Sequence, residues 1–176
     1  MGNLVPAQNY DHLLVAVSGY NGMHDLQYKA NVGVGQAWFR GSLISVVSAA
    51  PGDTFKAGCG DLEMPLWAIN ATADFDVASD VGNMAGGVVA ALVATGGYEL
   101  KTTEYVRTDS YAANDFLTAA LGLDTGKVCR SPVDWTTRLV CGVVSYGVES
   151  DVYNQQVLRF WPVFIPGCNA PLPSSD

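Results

Sequence analysis

The sequence predicts a mainly β protein, a single β-barrel or sandwich of seven to nine strands with one short helix and extended termini. Its 176 residues suit one domain, and 49% hydrophobic against 15% charged residues is typical of a globular chain. Nineteen glycines and eight prolines, with many valines and threonines, favour turns and strands over helices. We expect an N-terminal arm over residues 1–11, a β-barrel domain over 12–166 and a C-terminal arm over 167–176.

Short apolar runs bounded by turn residues predict the strands in chain order. Residues 12–19 form a short buried strand, and residues 36–49 form a long one with a bulge or bend at Gly41. A turn at residues 51–53 precedes a short strand that begins at Thr54. Pro65 places the next strand, residues 64–70, at a strand start or a sheet edge.

The stretch from residue 81 to residue 98 is uncharged over eighteen positions, which approaches the length of a membrane span. Five glycines and Asn83 interrupt it, so a membrane helix is excluded and a buried helix is disfavoured. The following "YELKTTEYV" alternates between apolar and polar residues, as a half-buried strand does. We therefore predict a β-hairpin over residues 88–106 that turns at Gly96-Gly97.

A second hairpin is predicted from residues 139–147 and 155–165, joined by a longer polar loop. Both faces of its last strand are largely apolar, so this strand should be central or covered. The helix is predicted in "SYAANDFLTAALGL", with Ser110 or Asn114 as N-cap and Gly122 as C-cap. Its apolar stripe at helical spacing comprises Phe116, Leu117, Ala120 and Leu121.

The net charge of −8, with nine basic residues scattered from Lys29 to Arg159, argues against a nucleic-acid partner. The N-terminus lacks the basic and apolar regions of a signal peptide, and Pro6 breaks a myristoylation motif at Gly2. We expect neither secretion nor a membrane partner. The four cysteines have no CxxC spacing and are expected to be reduced, in keeping with synthesis in the cytosol.

Candidate catalytic residues are few, and each has a structural explanation that we favour. His12 lies at a strand start, and His24 lies in a Gly/Asn-rich loop. A nucleophile pair would bring His24 beside Cys59, but the glycines around Cys59 are equally those of a turn. No serine lies in a G-x-S-x-G elbow; the three considered are Ser42, Ser110 and Ser145.

Candidate ligand sites are equally weak in the sequence. Asp74, Asp76 and Asp80 could hold calcium, but they alternate with apolar residues as solvated aspartates on a strand edge do. The "GVG" at 33–35 lacks the third glycine of a dinucleotide fingerprint. Four tryptophans could form a sugar platform: Trp38, Trp67, Trp135 and Trp161. Three of the four lie in apolar strands, where core packing is favoured. We therefore predict no catalytic, cofactor-binding or metal-binding residue, no cofactor, and no enzymatic activity.

Four segments carry a resemblance to a known family: "PLWAINATADFDVASDVGN", "GGVVAALVATGGYELKTTEY", "LVCGVVSYGV" and "VLRFWPVFIP". Through these segments, residues 36–166 resemble the small structural proteins of tailed-bacteriophage heads, in particular the β-barrel decoration, or cement, proteins. The resemblance implies a structural virion protein that is made in the host cytoplasm and reinforces the capsid from outside. It implies the major capsid protein and a homotrimer of this chain as partners. The two arms either order on a neighbour by strand addition or fray.

The alternative is a small β-barrel module that binds a carbohydrate or another ligand, as in a tail-fibre or surface protein. Its pocket would be lined by Trp38, Trp67 and Tyr98.

Overall fold

The computed structural model describes residues 14–18, 27–32, 36–49, 52–68, 89–93, 98–131, 138–151 and 154–167. These residues form eleven strands and one single-turn 3-10 helix, Gly122–Asp124. The mainly β class is therefore confirmed. The strands are β1 (Leu14–Ser18), β2 (Gln27–Val32), β3 (Leu43–Ala49), β4 (Gly52–Ala57), β5 (Leu66–Ala68), β6 (Val89–Val93), β7 (Glu99–Thr102), β8 (Phe116–Ala119), β9 (Val128–Arg130), β10 (Val140–Ser150) and β11 (Gln156–Ile165).

The described strands divide between two sheets instead of closing one barrel of seven to nine strands. The first sheet has six strands in the order β1-β7-β11-β10-β8-β9, all antiparallel to their neighbours. In the second sheet β4 pairs with β3, β3 with β5, and β5 with β6. Strand β2 pairs with β6 and, in parallel, with β4. Side-chain alternation identifies a strand but not its partners, so the sequence did not predict this division.

The predicted hairpin over residues 88–106 is wrong. Strand β6 pairs with β2 and β5 in the second sheet, whereas β7 pairs with β1 and β11 in the first. The predicted turn at Gly96-Gly97 lies outside the described residues. Both strands are present, but each pairs with strands that are distant in sequence. For β7 the reason is packing, since Leu100 and Glu99 are buried against β11 and β10.

The predicted helix over residues 110–123 is also wrong. Residues 116–119 form β8, which pairs with β9 on one side and with β10 on the other. A helical stripe would bury Phe116 and Leu121, yet these side chains are 39% and 69% exposed. Gly122 has the positive φ of a C-cap, 68°, but it begins the 3-10 helix. Pairing with strands on both sides outweighs the weak helical preference of the segment.

The second predicted hairpin is confirmed in β10 and β11, and β11 is a central strand between β7 and β10. Its two faces differ: Leu158 and Phe160 are fully buried, while Trp161 on the other face is 37% exposed. Gly41 lies in a turn with φ 84°, so the strand predicted from residue 36 begins only at Leu43. The turn predicted at residues 51–53 is wrong in position, because Gly52 and Asp53 already belong to β4 and pair with β3.

The hydrophobic core draws side chains from both sheets. Trp67 of β5 contacts Phe160 of β11 at 5.4 Å between ring centroids, and both side chains are fully buried. Burial of such aromatic side chains supplies much of the free energy of folding. Other buried members of the cluster include Leu43, Tyr98, Leu100, Leu117, Leu139 and Leu158.

The loop after β4 links the second sheet to the start of β10 and to the end of β11. Asp61 accepts hydrogen bonds from the Leu139 N–H, 3.1 Å, and from Arg138 Nε, 3.3 Å. Its carbonyl oxygen accepts the N–H of Gly167 at 2.8 Å. The entry to β10 and the exit from β11 are therefore both held by one residue of this loop.

Candidate functional site

The residues proposed from the sequence for a catalytic or metal site do not come together in the described part of the chain. His12, His24, Asp74, Asp76, Asp80, Trp135 and residues 33–35 lie outside it. Cys59 is buried, and its thiol donates to the carbonyl oxygens of Gly60 and Glu63 at 3.6 and 3.4 Å. Burial, followed by the charge of Glu63, raises the pKa of Cys59 to about 12, so the thiol stays protonated at neutral pH.

The other described cysteines are similarly unreactive. Cys129 and Cys141 are free thiols, as is Cys59. Burial raises the pKa of both Cys129 and Cys141 above the ordinary value, and Cys141 is fully buried. Because the thiolate is the reactive form, these side chains are structural in character.

The pocket predicted from Trp38, Trp67 and Tyr98 does not form. Trp67 and Tyr98 belong to the core, with exposed fractions of 0% and 1%, so neither offers a ring to a ligand. Ser42 and Ser145 also make structural contacts. Ser42 Oγ accepts the N–H of Phe39 at 3.1 Å, and Ser145 Oγ donates to Glu99 Oε1.

The outer face of the first sheet, the face opposite the core, carries a partly exposed row of large apolar side chains. Phe116 of β8 lies directly opposite Val143 of β10, and Val143 lies opposite Trp161 of β11. Side chains directly opposite one another lie on the same face of a sheet, so the three form a row across three strands. Phe116 and Trp161 are 39% and 37% exposed, and Ile165, on the same side of β11 as Trp161, is 42% exposed. We call Phe116, Val143, Trp161 and Ile165 the apolar row.

A charged cluster adjoins the apolar row on the same face. Arg159, two residues before Trp161, donates from Nε and Nη2 to the two carboxylate oxygens of Glu99 at 2.6 and 2.8 Å. Glu99 is only 4% exposed, and its hydrogen bond raises the pKa of Arg159 further. A second ion pair joins Lys101 to Glu149, whose other oxygen lies 3.9 Å from Arg159 Nη1. The guanidinium therefore has a fixed position beside Trp161.

This cluster was not predicted from the sequence. Glu99 was assigned to a half-buried strand without a partner, because Arg159 lies 60 residues away in sequence. The available signal was a pair of oppositely charged residues in two otherwise largely apolar strands.

A cleft of about 430 Å³ opens on the other side of the first sheet. Its walls are the segment after β7 and the ends of β10 and β11. They comprise Tyr105, Arg107, Asp109, Ser110, Tyr111, Val148 and Gln156. Gln156 shares the strand face of Leu158 and Phe160, so the cleft faces away from the apolar row.

The chain matches no known family model, and no curated protein matches it significantly. Within the described residues, no helix has the length and apolar character required to cross a membrane. The same residues contain no group of three or more His, Cys, Asp or Glu side chains placed to hold a metal ion.

Proposed function

We propose that this chain is a structural protein of a tailed-phage head, a decoration protein that binds the outside of the capsid lattice as a homotrimer. The observation that carries the proposal is the apolar row, an exposed strip of large side chains on a protein of net charge −8. Contiguous exposed apolar surface of this kind is typical of protein interaction sites. The proposed partner of the row is the major capsid protein.

The architecture around the row suits a surface that binds without rearranging. The row spans three hydrogen-bonded strands, so its side chains keep fixed spacings. The adjoining Glu99–Arg159 pair is bidentate, which fixes the charge beside the row and leaves few side chains to be ordered on binding. Rim charges of fixed position give orientation and specificity more than raw affinity.

A lattice of identical sites compensates for a modest affinity at each one. A homotrimer that presents three copies of the apolar row would gain avidity on such a lattice without any new contact. The acidic surface would keep free subunits apart from one another and from packaged DNA. The arms over residues 1–11 and 167–176 are proposed to add grip by ordering on a neighbouring subunit.

Co-sedimentation with capsids assembled without this protein tests the proposal. We expect the full-length protein to pellet with the capsids at micromolar concentration and to have three times the monomer mass in solution. We expect Trp161→Ser to weaken the binding about tenfold or more. Truncation of an aromatic anchor typically costs 2 kcal/mol or more, and a loss of 2 kcal/mol weakens binding about thirtyfold. Leu123→Ser is the matched control, since Leu123 is fully exposed on the 3-10 helix, away from the row.

Two results would contradict the proposal at different levels. If the full-length protein remains in the supernatant, the decoration function is wrong. If it pellets, but Trp161→Ser binds as well as Leu123→Ser, the docking face is wrong and another surface contacts the shell.

A further inference from the structure

The cleft on the side of the first sheet away from the apolar row combines aromatic walls with converging polar groups. Tyr105 and Tyr111 pack edge to face, with ring centroids 5.6 Å apart, and both line the cleft. Tyr111 is partly exposed, and its hydroxyl donates to the carbonyl oxygen of Val106 at 2.9 Å. This hydrogen bond fixes the Tyr111 ring, so little side-chain conformational entropy is lost when a ligand packs against it.

The segment that carries these tyrosines is itself fixed to β10. The N–H of Asn114 donates to Val144 O, and the N–H of Val144 donates to Asp115 O, both at 2.8 Å. Gly147, at the bulge of β10, has φ 113°, and a Cβ there would lie 3.1 Å from the carbonyl oxygen of Tyr111. Glycine is thus required for the close approach of the two walls, which gives the cleft a preformed shape.

The polar groups of the cleft include both donors and acceptors. Arg107 is exposed, and no hydrogen bond or ion pair engages its guanidinium in the described part of the chain. Asp109 accepts the Arg130 N–H at 3.1 Å and keeps further acceptor capacity. Gln156 donates from Nε2 to Ser150 Oγ at 2.6 Å, which fixes the amide and orients its oxygen. A sugar ring needs this mixture, because each hydroxyl both donates and accepts.

We propose that this cleft binds a saccharide, with one ring against Tyr111 and hydroxyl groups held by Arg107, Asp109 and Gln156. The apolar C–H face of a sugar packs on an aromatic ring, and planar charged or amide groups hold neighbouring hydroxyls. A cleft of about 430 Å³ lies within the range for small-molecule sites and exceeds what an isolated ion needs.

Other ligand classes fit the cleft less well. A nucleotide or polyphosphate would meet one cation, Arg107, beside the carboxylate of Asp109, on a protein of net charge −8. A purely apolar ligand would leave the buried parts of these polar groups without partners. The site is separate from the proposed docking face, so an attached subunit would present it outward.

Isothermal titration calorimetry on the full-length protein tests this inference with three probes: maltotriose, the trimer of N-acetylglucosamine and trigalacturonate. We expect saturable binding of at least one probe below about 10 mM. Arg107→Ala and Gln156→Ala should each weaken that binding about tenfold, as expected for a lost polar contact. Gln155→Ala is the matched control, because Gln155 does not line the cleft and its N–H, which donates to Asp151 Oδ1, is retained.

Circular dichroism melts of each variant check that the fold is retained, and capsid co-sedimentation should be unchanged in Arg107→Ala and Gln156→Ala. The inference is overturned if none of the three probes binds, or if the bound probe binds both cleft variants as tightly as the control. Either result leaves the decoration function intact, since that function depends on the opposite face.

Discussion

Leu117, Val144 and Phe160 lie on the inner face of the first sheet and are fully buried, whereas Phe116 and Trp161 on the outer face are more than a third exposed. The two sets alternate along the same three strands. The inner face contacts the second sheet through Trp67. Apolar side chains of the same three strands are therefore packed in the core on one face and partly exposed on the other.

The faces also differ in how they hold charge. On the inner face, the buried side chains opposite the apolar row are apolar. The outer face buries Glu99, and Arg159 and Ser145 donate hydrogen bonds to its carboxylate there, which offsets the cost of burying the charge. A sheet face can thus be half apolar and half ionic when the charges are paired across strands.

The largest expected effect on stability is the difference between substitutions at two adjacent residues on opposite faces of β11. Phe160→Ala should lower the free energy of unfolding by about 3–5 kcal/mol, because it opens a cavity against Trp67. Trp161→Ala should cost about 1–2 kcal/mol, since part of its side chain is already in water. Urea denaturation of both variants measures the difference. Equal losses would show that the outer face is as much a part of the core as the inner one.

Glu99→Gln tests the ionic half of the outer face. We expect a loss of about 2–3 kcal/mol, because Arg159 would keep its charge without the bidentate acceptor. The control is Glu149→Gln, whose carboxylate is more exposed and lies 3.9 Å from Arg159, with an expected loss of about 1 kcal/mol. In the double variant Glu99→Gln/Arg159→Met, urea denaturation should show a loss smaller than the sum of the single losses. Additive losses would contradict the coupling.

Glu63, on the loop after β4, accepts several hydrogen bonds as Glu99 does, but its side chain is partly exposed. It accepts hydrogen bonds from Lys56 Nζ, 2.5 Å, the Gly60 N–H, 2.7 Å, and Ser45 Oγ, 2.8 Å. Burial alone would raise the pKa of Glu63, but these hydrogen bonds outweigh it and lower the pKa below 4.5. A lowered folded-state pKa stabilises the fold above pH 4.5, and this stability is lost as pH falls through the folded-state value.

Glu63→Gln should therefore cost about 1 kcal/mol at pH 7, a value reduced by the solvent around this carboxylate. At pH 3 the difference from the wild-type protein should shrink, because the stability supplied by the lowered folded-state pKa is lost progressively as pH falls below the ordinary value of 4.5. Urea denaturation at the two pH values measures this change. A difference that is the same at pH 3 and pH 7 would show that the hydrogen bonds do not depend on the charge of Glu63.

Particular elements show how far the sequence predicts this fold. The β10–β11 hairpin was predicted correctly because its two strands are adjacent in the chain and their turn is local. The hairpin over residues 88–106 failed because its two strands, although adjacent, belong to different sheets. The exposed surfaces were predicted least well: Trp161 was assigned mainly to the core, and the cleft around Tyr111 was not foreseen. Its residues come from two segments that are far apart in sequence.

By itself, the sequence determined that the chain is mainly β, where several strands lie, and that β11 is central or covered, because alternation and apolar runs are local properties of a strand. Only the tertiary structure decided the strand partners, the strand at residues 116–119 in place of a helix, and the burial of Glu99. Each depends on groups distant in the chain: Arg159 lies 60 residues from Glu99, and Gly142 of β10 lies opposite Leu117 of β8. Pairing energies of this kind outweigh local preferences of a few tenths of a kcal/mol per residue, roughly the spread of intrinsic propensities.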